Sequence, residues 1–247
     1  MSKPNKMEKD SPLRQGFVSG EHSGRLLVMG DVHGQYEKML NVLSLCEYRP
    51  AVDRLILLGD YVDRGPDSRR VVSEVRRLVE LGAVALYGNH EELMRQALRN
   101  RKNGHLNPVE LEQWFANGGE ITLDSYRTHA SELDSHLAFF ADLPRWVEVD
   151  GYLCVHAGIR PGRKIERQAS RDLIWIREEY IEGYRGPQDV VTGHTPVQYL
   201  RRFVSFEDVE DSTKPLIREH KYFLDTGAAW RGPLTVMNLL SGEYWQA

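Results

Sequence analysis

Five short apolar runs in this chain each end in a side chain that can bind a metal ion. The runs are LLVMGD, LILLGD, VALYGN, YLCVH and VVTGH, and in four of them a glycine precedes the polar residue. Four or five apolar residues in succession are typical of a buried strand, and the glycine permits a sharp turn at its end. The polar residues that end the runs are Asp31, Asp60, Asn89, His156 and His194. The chain must therefore fold so that several buried strands present polar groups at their ends.

Two segments between the first three runs have apolar side chains at helical spacing. These segments are residues 36–43 and residues 71–79. The strands that flank them are predicted at Leu26–Met29, Leu55–Leu58 and Ala83–Tyr87. The order strand, helix, strand, helix, strand predicts a parallel sheet with crossover helices, so the fold class is α/β.

The second half of the chain is predicted to start with helices and to end with strands. Residues 107–143 have a helical pattern, with Asn107 and Ser131 as the expected N-caps. Asp150-Gly151 predicts a tight hairpin turn. The strands expected in this half are Trp146–Val149, Tyr152–Val155, Asp189–Thr192, Tyr222–Leu224 and Leu234–Leu240.

Length and composition are those of one globular domain. The chain has 247 residues, 41% of them hydrophobic, which is enough to bury a large core. Residues 1–24 are polar and contain Pro and Gly, so we expect a flexible N-terminal arm before a domain over residues 25–247. The formal net charge of −4 opposes binding to a phosphate backbone and argues against a nucleic-acid partner.

The sequence also argues against a membrane partner. No segment approaches the roughly 18 consecutive apolar residues that a membrane span needs. The first residues, MSKPNKMEKDSPLRQG, lack the apolar core of a secretory signal. Cys46 and Cys154 lie in apolar contexts and are expected to be reduced core residues. These features predict a cytoplasmic location.

The polar residues at the strand ends form a candidate metal site. Ligands in open α/β sheets bind beyond the carboxyl ends of the strands, so these side chains are expected to converge. Each alone has an ordinary explanation as a turn or core residue, but five at equivalent places favour a site. His33, two residues after Asp31, brings the set to six nitrogen and oxygen donors. Six such donors without a thiolate suit two divalent ions of the Mn, Fe or Zn type.

Three further residues suggest acid–base and phosphate chemistry beside that site. An Asp next to a His favours the protonated imidazole that a general acid needs, which fits Asp63 and His90. A guanidinium beside two metals suits the free oxygens of a phosphoryl group, which fits Arg64. Elsewhere in a protein, Asp63 and Arg64 would be explained as a surface ion pair in a loop.

The blocks GDVHG, GDYVDRG, GNHE, HAG and GHTP, in this order and spacing, resemble the phosphoprotein phosphatase (PPP) superfamily of binuclear metallophosphoesterases. The resemblance is closest to bacterial and phage-type serine/threonine protein phosphatases, and it includes WFANGG, IWIRE and DTGA. It implies a metallophosphoesterase β-sandwich, with two mixed sheets flanked by helices in a single domain. The eukaryotic members have Arg at the position of Tyr87 and HGG in place of HAG, so no regulatory subunit is expected.

The resemblance also implies a role for each candidate residue. Arg64, Asn89 and Arg177 would bind the substrate phosphate, although Arg177 lies on a predicted helix and could be an ordinary exposed arginine. His90 would be the general acid, oriented by Asp63. The implied ligands are Asp31, His33 and Asp60 for the first metal, and Asn89, His156 and His194 for the second, with Asp60 bridging the two.

The implied activity is metal-dependent phosphomonoester hydrolysis by a serine/threonine protein phosphatase, in which a metal-bridging hydroxide attacks phosphorus in line. Manganese is the expected metal, with iron and zinc as alternatives, and a phosphoprotein or phosphopeptide is the expected substrate. One alternative is a symmetrical diadenosine tetraphosphate hydrolase, although those enzymes typically have Ala in place of Asp63 and Asp in place of Glu91. The other is an inactive phosphopeptide-binding module, which would be expected to lack a metal ligand or the acid.

Overall fold

The computed structural model describes residues 24–209 and 213–247, and their strands form two five-stranded sheets. The expected N-terminal arm lies outside the described residues except for Gly24. The strands are β1 (Leu26–Met29), β2 (Arg54–Leu57), β3 (Val84–Ala85), β4 (Trp146–Val149), β5 (Tyr152–Val155), β6 (Asp189–Thr192), β7 (Leu216–Arg218), β8 (Lys221–Phe223), β9 (Thr235–Asn238) and β10 (Tyr244–Gln246). The α-helices are α1 (Tyr36–Leu45), α2 (Ser68–Glu80), α3 (Asn89–Leu98), α4 (Pro108–Ala116), α5 (Gly119–Ser125), α6 (Ala130–Ala141), α7 (Ser170–Trp175), α8 (Glu178–Gly183) and α9 (Val197–Leu200).

The first sheet has the order β10-β9-β1-β2-β3. β1 pairs in parallel with β2, and β2 with β3, as the alternation of strands and helices predicts. β9 and β10 extend the sheet by antiparallel pairing on the other side of β1. All four residues of β1 and of β2 are buried, as is typical of central strands covered on both faces.

The second sheet has the order β4-β5-β6-β8-β7. β5, β6 and β8 run parallel, and the edge strands β4 and β7 run antiparallel to their neighbours. The hairpin between β4 and β5 turns at Asp150 and Gly151, which have φ values of 50° and 87°. Positive φ at both central residues is the requirement of a type I′ turn, so the Asp-Gly prediction is confirmed.

The two sheets pack face to face because central strands such as β1 have apolar residues on both sides. Leu26 and Val28 of β1 belong to an apolar cluster that includes Cys154 and Val191 from the second sheet. The alternate residues of β1 belong instead to the larger cluster that contains the buried faces of the helices. The architecture is therefore a sandwich of two mixed sheets flanked by helices in a single α/β domain, as predicted.

Several local predictions need correction. β2 begins and ends one residue earlier than expected, and β3 is limited to Val84–Ala85 because only those residues pair with β2. Ser131 is not an N-cap: α6 begins at Ala130, and His129 precedes it. Asn107 does cap α4, since its side chain accepts a hydrogen bond from the Val109 backbone N–H at 3.0 Å.

Two further observations concern the predicted environment of the chain. Cys46 and Cys154 are both buried and free, as expected for core residues. Within residues 24–209 and 213–247, no helix is both long and apolar enough to cross a membrane.

Candidate active site

The six predicted metal ligands lie together where the two sheets meet. Asp31, Asp60 and Asn89 follow strands of the first sheet, and His156 and His194 follow β5 and β6 of the second. His33 lies on the loop between β1 and α1. All six are buried, and His194, the most accessible, is only 5% exposed. Polar groups from five strand ends thus share one enclosed centre.

Asp60 lies at the middle of this centre. Its Oδ2 is 3.6 Å from His33 Nε2, and its Oδ1 is 3.3 Å from His156 Nε2. The two carboxylate oxygens therefore face nitrogen donors on opposite sides. A carboxylate in this position is suited to bridge two cations.

Backbone carbonyls fix the tautomers of two imidazoles. His33 Nδ1 lies 2.9 Å from the carbonyl oxygen of Val62, and His156 Nδ1 lies 2.9 Å from that of Leu58. A carbonyl can only accept, so each Nδ1 carries the proton and donates it. The Nε2 lone pairs are then directed toward the centre, which is the usual second-shell arrangement of a metal-binding histidine.

A second set of donor atoms converges on Asn89. Its Oδ1 lies 2.8 Å from His156 Nε2 and 2.8 Å from His194 Nδ1. The amide oxygen is an acceptor, so a proton on each facing ring nitrogen can fill the contact, and a cation that replaced these protons would bind where the three atoms meet. The donor chemistry therefore fits a metal ion.

Two buried atoms at the centre lack a hydrogen-bond partner among the described residues. They are Asp31 Oδ1 and His194 Nε2. Buried polar atoms in native proteins are normally satisfied, so an unpaired carboxylate oxygen here fits the role of a cation ligand. Asp31 is held in place through its other oxygen, which accepts a hydrogen bond from the His194 backbone N–H at 2.9 Å.

The backbone at Gly88 and Gly193 passes so close to neighbouring carboxylates that only glycine fits. A Cβ atom on Gly193 would lie 2.0 Å from Asp31 Oδ1, and one on Gly88 would lie 2.3 Å from Asp60 Oδ1. Any side chain at these positions would displace a carboxylate. This is a structural reason for glycine before Asn89 and His194.

Two groups of side chains have ligand atoms close enough to hold a metal, within 4.8 Å of one another. One is His33, Asp60 and His90, and the other is Asp60, His156 and His194. Asp60 belongs to both groups. The first group differs from the predicted ligands of the first metal, because it contains His90, the predicted acid, in place of Asp31. Asp31 lies next to His194.

The electrostatics around Asp60 favour a positive charge on His156. Burial lowers the pKa of His156, but the carboxylates of Asp60 and Asp31 outweigh it and raise that pKa to about 9. Burial of Asp60 opposes its ionisation, yet the surrounding imidazoles hold its pKa well below the usual range. The centre therefore stabilises a buried carboxylate together with a cation.

His90 and Asp63 form a buried hydrogen-bonded pair, with 2.7 Å between Nδ1 and Oδ2. Burial lowers the pKa of His90 to about 4, and burial raises the pKa of Asp63 to about 7. Burial thus disfavours charge on both partners, whereas the hydrogen bond between them favours a shared proton. The pair predicted from the sequence is formed.

Two residues that the sequence did not assign to the site hold Asp63. Trp114 Nε1 donates to Asp63 at 2.9 Å, and Thr122 Oγ1 donates to Asp63 Oδ1 at 2.7 Å. Trp114 is fully buried. The sequence signal that could have identified Trp114 is its indole N–H, a hydrogen-bond donor, close to the helix-breaking motif Asn117-Gly118-Gly119.

Glu91 supports the centre through the backbone. Its carboxylate accepts hydrogen bonds from the backbone N–H groups of Asp60 at 2.9 Å, Tyr61 at 2.8 Å and Gly88 at 3.0 Å. It is fully buried. Glu91 therefore fixes the turn after β2 against the start of α3.

The two arginines predicted to bind phosphate both reach the centre. Arg64 Nη1 lies 2.8 Å from His33 Nε2, and Arg177 Nη2 donates to the His194 carbonyl oxygen at 3.4 Å. The prediction that Arg177 lies on a helix is wrong: it lies between α7 and α8, with φ −131° and ψ −84°. The helical turn breaks at Ile176, and this break directs the guanidinium inward instead of into solvent.

Backbone strain is concentrated in the same residues. His33, Asp60, Asp63, Arg64 and His194 all have φ between 46° and 72°. Non-glycine residues rarely adopt this left-handed conformation, and each instance costs on the order of 1–3 kcal/mol. Such strain persists where the surrounding structure enforces it, and it typically marks functional sites.

Comparison with known proteins agrees with this geometry. "Serine/threonine-protein phosphatase 1" of Salmonella typhimurium is 29% identical over 86% of this chain and 90% of its own length. "Bis(5'-nucleosyl)-tetraphosphatase, symmetrical" of Edwardsiella ictaluri is 33% identical, but over only 55% of this chain and 44% of its own length. The solved structure of a candidate diadenosine tetraphosphatase superposes with a TM-score of 0.67 at 21% identity, covering 92% of this chain and 94% of that one.

The match to a family profile covers most of the domain. The description of that family is calcineurin-like phosphoesterase, and the match extends over residues 24–225. This range contains every residue of the buried centre described above. Sequence, fold and donor set together show that the chain belongs to the calcineurin-like phosphoesterase family.

Proposed function

We propose that this chain is a serine/threonine protein phosphatase with a binuclear metal centre. The observation that carries the proposal is the position of Asp60 between two groups of buried donors, with Arg64 and Arg177 beside them. The Salmonella typhimurium relative, which aligns with this chain over 90% of its own length, is named a serine/threonine-protein phosphatase. The reaction is hydrolysis of a phosphate monoester.

The metals are held by the six residues that the sequence singles out. Asp31, His33 and Asp60 would hold the first ion, and Asp60 would also serve the second, whose other ligands would be Asn89, His156 and His194. Two divalent ions, when bound, activate water as the nucleophile and neutralise the charge of the phosphoryl oxygens. Manganese is the proposed metal, since carboxylate, amide and imidazole donors without thiolate suit it.

His90 donates a proton to the leaving oxygen. Its Nδ1 is bound to Asp63, so the ring is fixed in orientation and its Nε2 faces Asp60 at 3.9 Å. The Asp63 carboxylate favours the protonated ring, against the effect of burial. A serine or threonine alkoxide is a strongly basic leaving group, which is why this substrate needs the acid.

Arg64 and Arg177 bind the phosphate, together with Asn89. Both arginines line the same cavity of about 380 Å³, which also contacts His194. Guanidinium groups bind phosphoryl oxygens through paired N–H donors. Burial lowers the pKa of Arg177, because its charged guanidinium loses contact with water. A bound phosphate would offset this loss by pairing with the guanidinium.

A symmetrical diadenosine tetraphosphate hydrolase is the second candidate. The partial match to an enzyme of that name and the structural similarity to a candidate diadenosine tetraphosphatase favour it. Its pyrophosphate-type leaving group is much less basic than an alkoxide. Asp63 accepts hydrogen bonds from Trp114 and Thr122, which fix it beside His90. This support for the proposed acid is better explained by a leaving group that needs a proton.

The test is to compare both substrates with the same enzyme and Mn²⁺ at neutral pH. We expect phosphoseryl or phosphothreonyl peptides to have a kcat/KM at least roughly tenfold above that of diadenosine tetraphosphate, which is about 1.4 kcal/mol of transition-state binding. A faster dinucleotide reaction would refute the protein phosphatase and leave the hydrolase. Phosphopeptide binding without turnover of either substrate would identify an inactive binding module.

A cytoplasmic location, where phosphoproteins of the cell would be the substrates, belongs to the same proposal. It is supported by the two buried cysteines, which are free and therefore suit a reducing compartment. Fractionation of cells, followed by immunoblotting for this chain, tests the location.

A further inference from the structure

A strongly basic segment follows the predicted metal ligand His156. Residues 160–171 contain five basic side chains and one acidic side chain, in a chain whose formal net charge is −4. The segment lies on the loop between β5 and α7 and on the first turn of α7. Four of its basic residues are exposed, and we call them the basic strip: Arg163, Lys164, Arg167 and Arg171.

The basic strip differs from many other arginines of this protein in lacking ion-pair partners. Within residues 24–209 and 213–247, none of its four side chains forms an ion pair. The fifth cation of the segment, Arg160, donates to both carboxylate oxygens of Asp172, at 2.8 and 2.9 Å. Arg160 thereby lowers the pKa of Asp172, and Arg163 and Arg171 lower it further from a greater distance. This carboxylate is already neutralised by Arg160, so the charge of the strip stays available for a partner.

The loop that carries the basic strip is held in one conformation by a buried side chain. Gln168 is only 5% exposed. Its amide nitrogen donates to the carbonyl oxygens of Arg160 and Arg163, at 3.0 and 2.9 Å, and its amide oxygen accepts from the Arg160 backbone N–H at 2.9 Å. The charges of the strip therefore start from an ordered backbone, which reduces the entropy lost when a partner binds.

A polar cavity connects the basic strip with the buried centre. The cavity has a volume of about 440 Å³, and Arg171, Arg145 and Trp175 are among the residues that line it. The ring of Trp175 packs edge-on against the ring of His194, with 6.0 Å between the centroids. One end of the strip thus lies a single aromatic side chain away from a predicted metal ligand.

The acidic residue that lines this cavity already has partners. Glu92 accepts hydrogen bonds from the Tyr87 hydroxyl and from Gln96 Nε2, the latter at 2.7 Å. It also lies 3.9 Å from the guanidinium of Arg95. Because these contacts compensate the charge of Glu92, the two arginines determine the sign of the charge in the cavity. Carboxylates are the groups that guanidinium ions bind best among protein side chains.

We propose that the basic strip and the adjoining cavity bind acidic side chains of the substrate, so that this enzyme prefers phosphoserine and phosphothreonine in acidic sequences. The inference rests on the proposed phosphatase function and names the sequence context in which it acts. The strip contacts residues that flank the phosphorylated side chain, whereas Arg64 and Arg177 contact the phosphate.

The position of the strip favours a peptide over other polyanions. Its segment begins shortly after His156 and leads through α7 to Arg177, so it is connected to the centre at both ends. An extended peptide advances about 3.3–3.6 Å per residue, so acidic residues a few positions from the phosphoserine would reach the strip. A nucleic acid or an anionic membrane would instead meet the negative net charge of the chain as a whole.

The test uses three phosphoserine peptides that differ only in the residues flanking the phosphoserine on both sides, which are Glu, Gln or Lys. With Mn²⁺ and the full chain, we expect kcat/KM for the Glu peptide to exceed that for the Lys peptide by roughly five- to thirtyfold, mainly through KM. The Gln peptide should lie between them. At about 0.5 M salt the preference should shrink to less than about threefold, because exposed charges are then screened.

Charge reversal within the strip tests its residues directly. Arg167→Glu and Arg171→Glu should each lower the ratio of kcat/KM between the Glu and Lys peptides by roughly three- to tenfold. The ratio compares two substrates of one variant, so a partly unfolded preparation does not change it.

Arg49→Glu is the matched control. Arg49 is an exposed arginine before β2, at the opposite end of that strand from Asp60, and its side chain forms no ion pair within the described part of the chain. The substitution changes the net charge by the same amount as the strip variants. It should change the ratio by less than about twofold.

The outcomes separate this inference from the proposed function. Equal kcat/KM on the three peptides, or a ratio that falls as far in Arg49→Glu as in the strip variants, would overturn the inference and leave the phosphatase intact. A preference that is unchanged at high salt would also overturn it. Equal rates on the peptides together with sedimentation of the enzyme on phosphatidylserine vesicles would assign the strip to a membrane instead. Hydrolysis of no peptide would refute the proposed function, and the inference with it.

Discussion

At the scale of single residues, the proposed acid depends on side chains from a distant part of the chain. Asp63 receives hydrogen bonds from Trp114, 51 residues away, and from Thr122, 59 residues away. Thr122 Oγ1 also accepts from the Asp63 backbone N–H at 2.8 Å. The helices α4 and α5 therefore act as a support that fixes the Asp63 carboxylate against His90.

The first prediction concerns His90 itself. Removal of a general acid typically costs about 10²–10⁴ in rate. His90→Asn should lower kcat strongly on phosphoseryl peptides and much less on nitrophenyl phosphate, because nitrophenolate leaves without a proton. Rate measurements on both substrates check this, and equal losses on the two would contradict the acid role.

The second prediction concerns the support of Asp63. Trp114→Phe removes the donor N–H but keeps an aromatic ring, and Thr122→Val removes the hydroxyl at nearly constant shape. Hydrogen bonds to a charged group are worth about 1.5–3 kcal/mol, so each variant should lose roughly tenfold or more in kcat on phosphoseryl peptides with little change in KM.

The control for these variants is Phe115→Leu, a conservative change of a partly buried neighbour on the same helix. If Phe115→Leu loses as much activity as Trp114→Phe, the effect reflects helix packing and not the hydrogen bond. If these variants lost as much activity on nitrophenyl phosphate as on phosphoseryl peptides, Asp63 would not act through proton donation by His90.

The residues at the strand ends could be predicted because their signal is local. A buried run, a glycine and a polar residue are neighbours in sequence, and the carboxyl ends of parallel strands must share one edge. The contacts of Trp114 and Thr122 could not be predicted, since they depend on how α4 and α5 pack on the loop after β2. The left-handed backbone at Asp60 and His194 could not be predicted either, because even Asp and His, which adopt it more often than other non-glycine residues, do so in only a small fraction of cases.

At the scale of elements, the long apolar runs and the capped helices were the easiest to locate. β1 and β6 carry their own apolar pattern and were found with their full extent. β7 and β10 were missed because each has only three residues and forms an edge with exposed or half-buried side chains. Such strands exist because a neighbour offers free backbone groups, and a sequence window does not contain that information.

The third prediction concerns the anchor between β1 and β2. Arg25 donates to both carboxylate oxygens of Asp53, at 3.0 and 2.7 Å, and the Arg49 backbone N–H donates to the same group at 2.9 Å. Burial of Asp53 opposes ionisation, but these contacts outweigh it and lower its pKa below the ordinary value of 3.8. The ionised form therefore stabilises the fold.

Because the folded pKa of Asp53 is depressed, its contribution is present above about pH 4 and is lost as the pH falls through the folded value. Asp53→Asn should destabilise the domain by roughly 1.5–3 kcal/mol at neutral pH. Unfolding by urea at pH 7 and at pH 3.5 checks this, and the difference from wild type should shrink at the lower pH. A constant difference would show that the ion pair is not the cause.

At the scale of the whole molecule, the candidate centre joins the two sheets. Asp31, Asp60 and Asn89 come from one sheet, and His156 and His194 come from the other. Between them, Asn89 Oδ1 lies 2.8 Å from a ring nitrogen of His156 and 2.8 Å from one of His194, so each contact needs a proton or a cation between its two atoms, and Asp31 Oδ1 has no partner among the described residues. Metal ions bound at this end of the sandwich would therefore satisfy buried polar atoms from both sheets and stabilise the folded state.

The last prediction follows from this arrangement. A ligand that binds only the folded state stabilises it by about 2.7 kcal/mol at a concentration of 100 times its Kd, which in a domain of this size raises the melting temperature by roughly 5–10 °C. Mn²⁺ should therefore raise the melting temperature of chelator-treated protein, with two equivalents bound at saturation. Asp60→Asn keeps the shape of the side chain but removes the bridging charge, so it should fold, bind the second equivalent weakly and nearly lose turnover. Calorimetry with Mn²⁺ titration and metal analysis measures these effects. Binding of at most one equivalent to the wild-type protein, or an equal thermal shift in Asp60→Asn, would mean that Asp60 does not bridge two ions across the sheets.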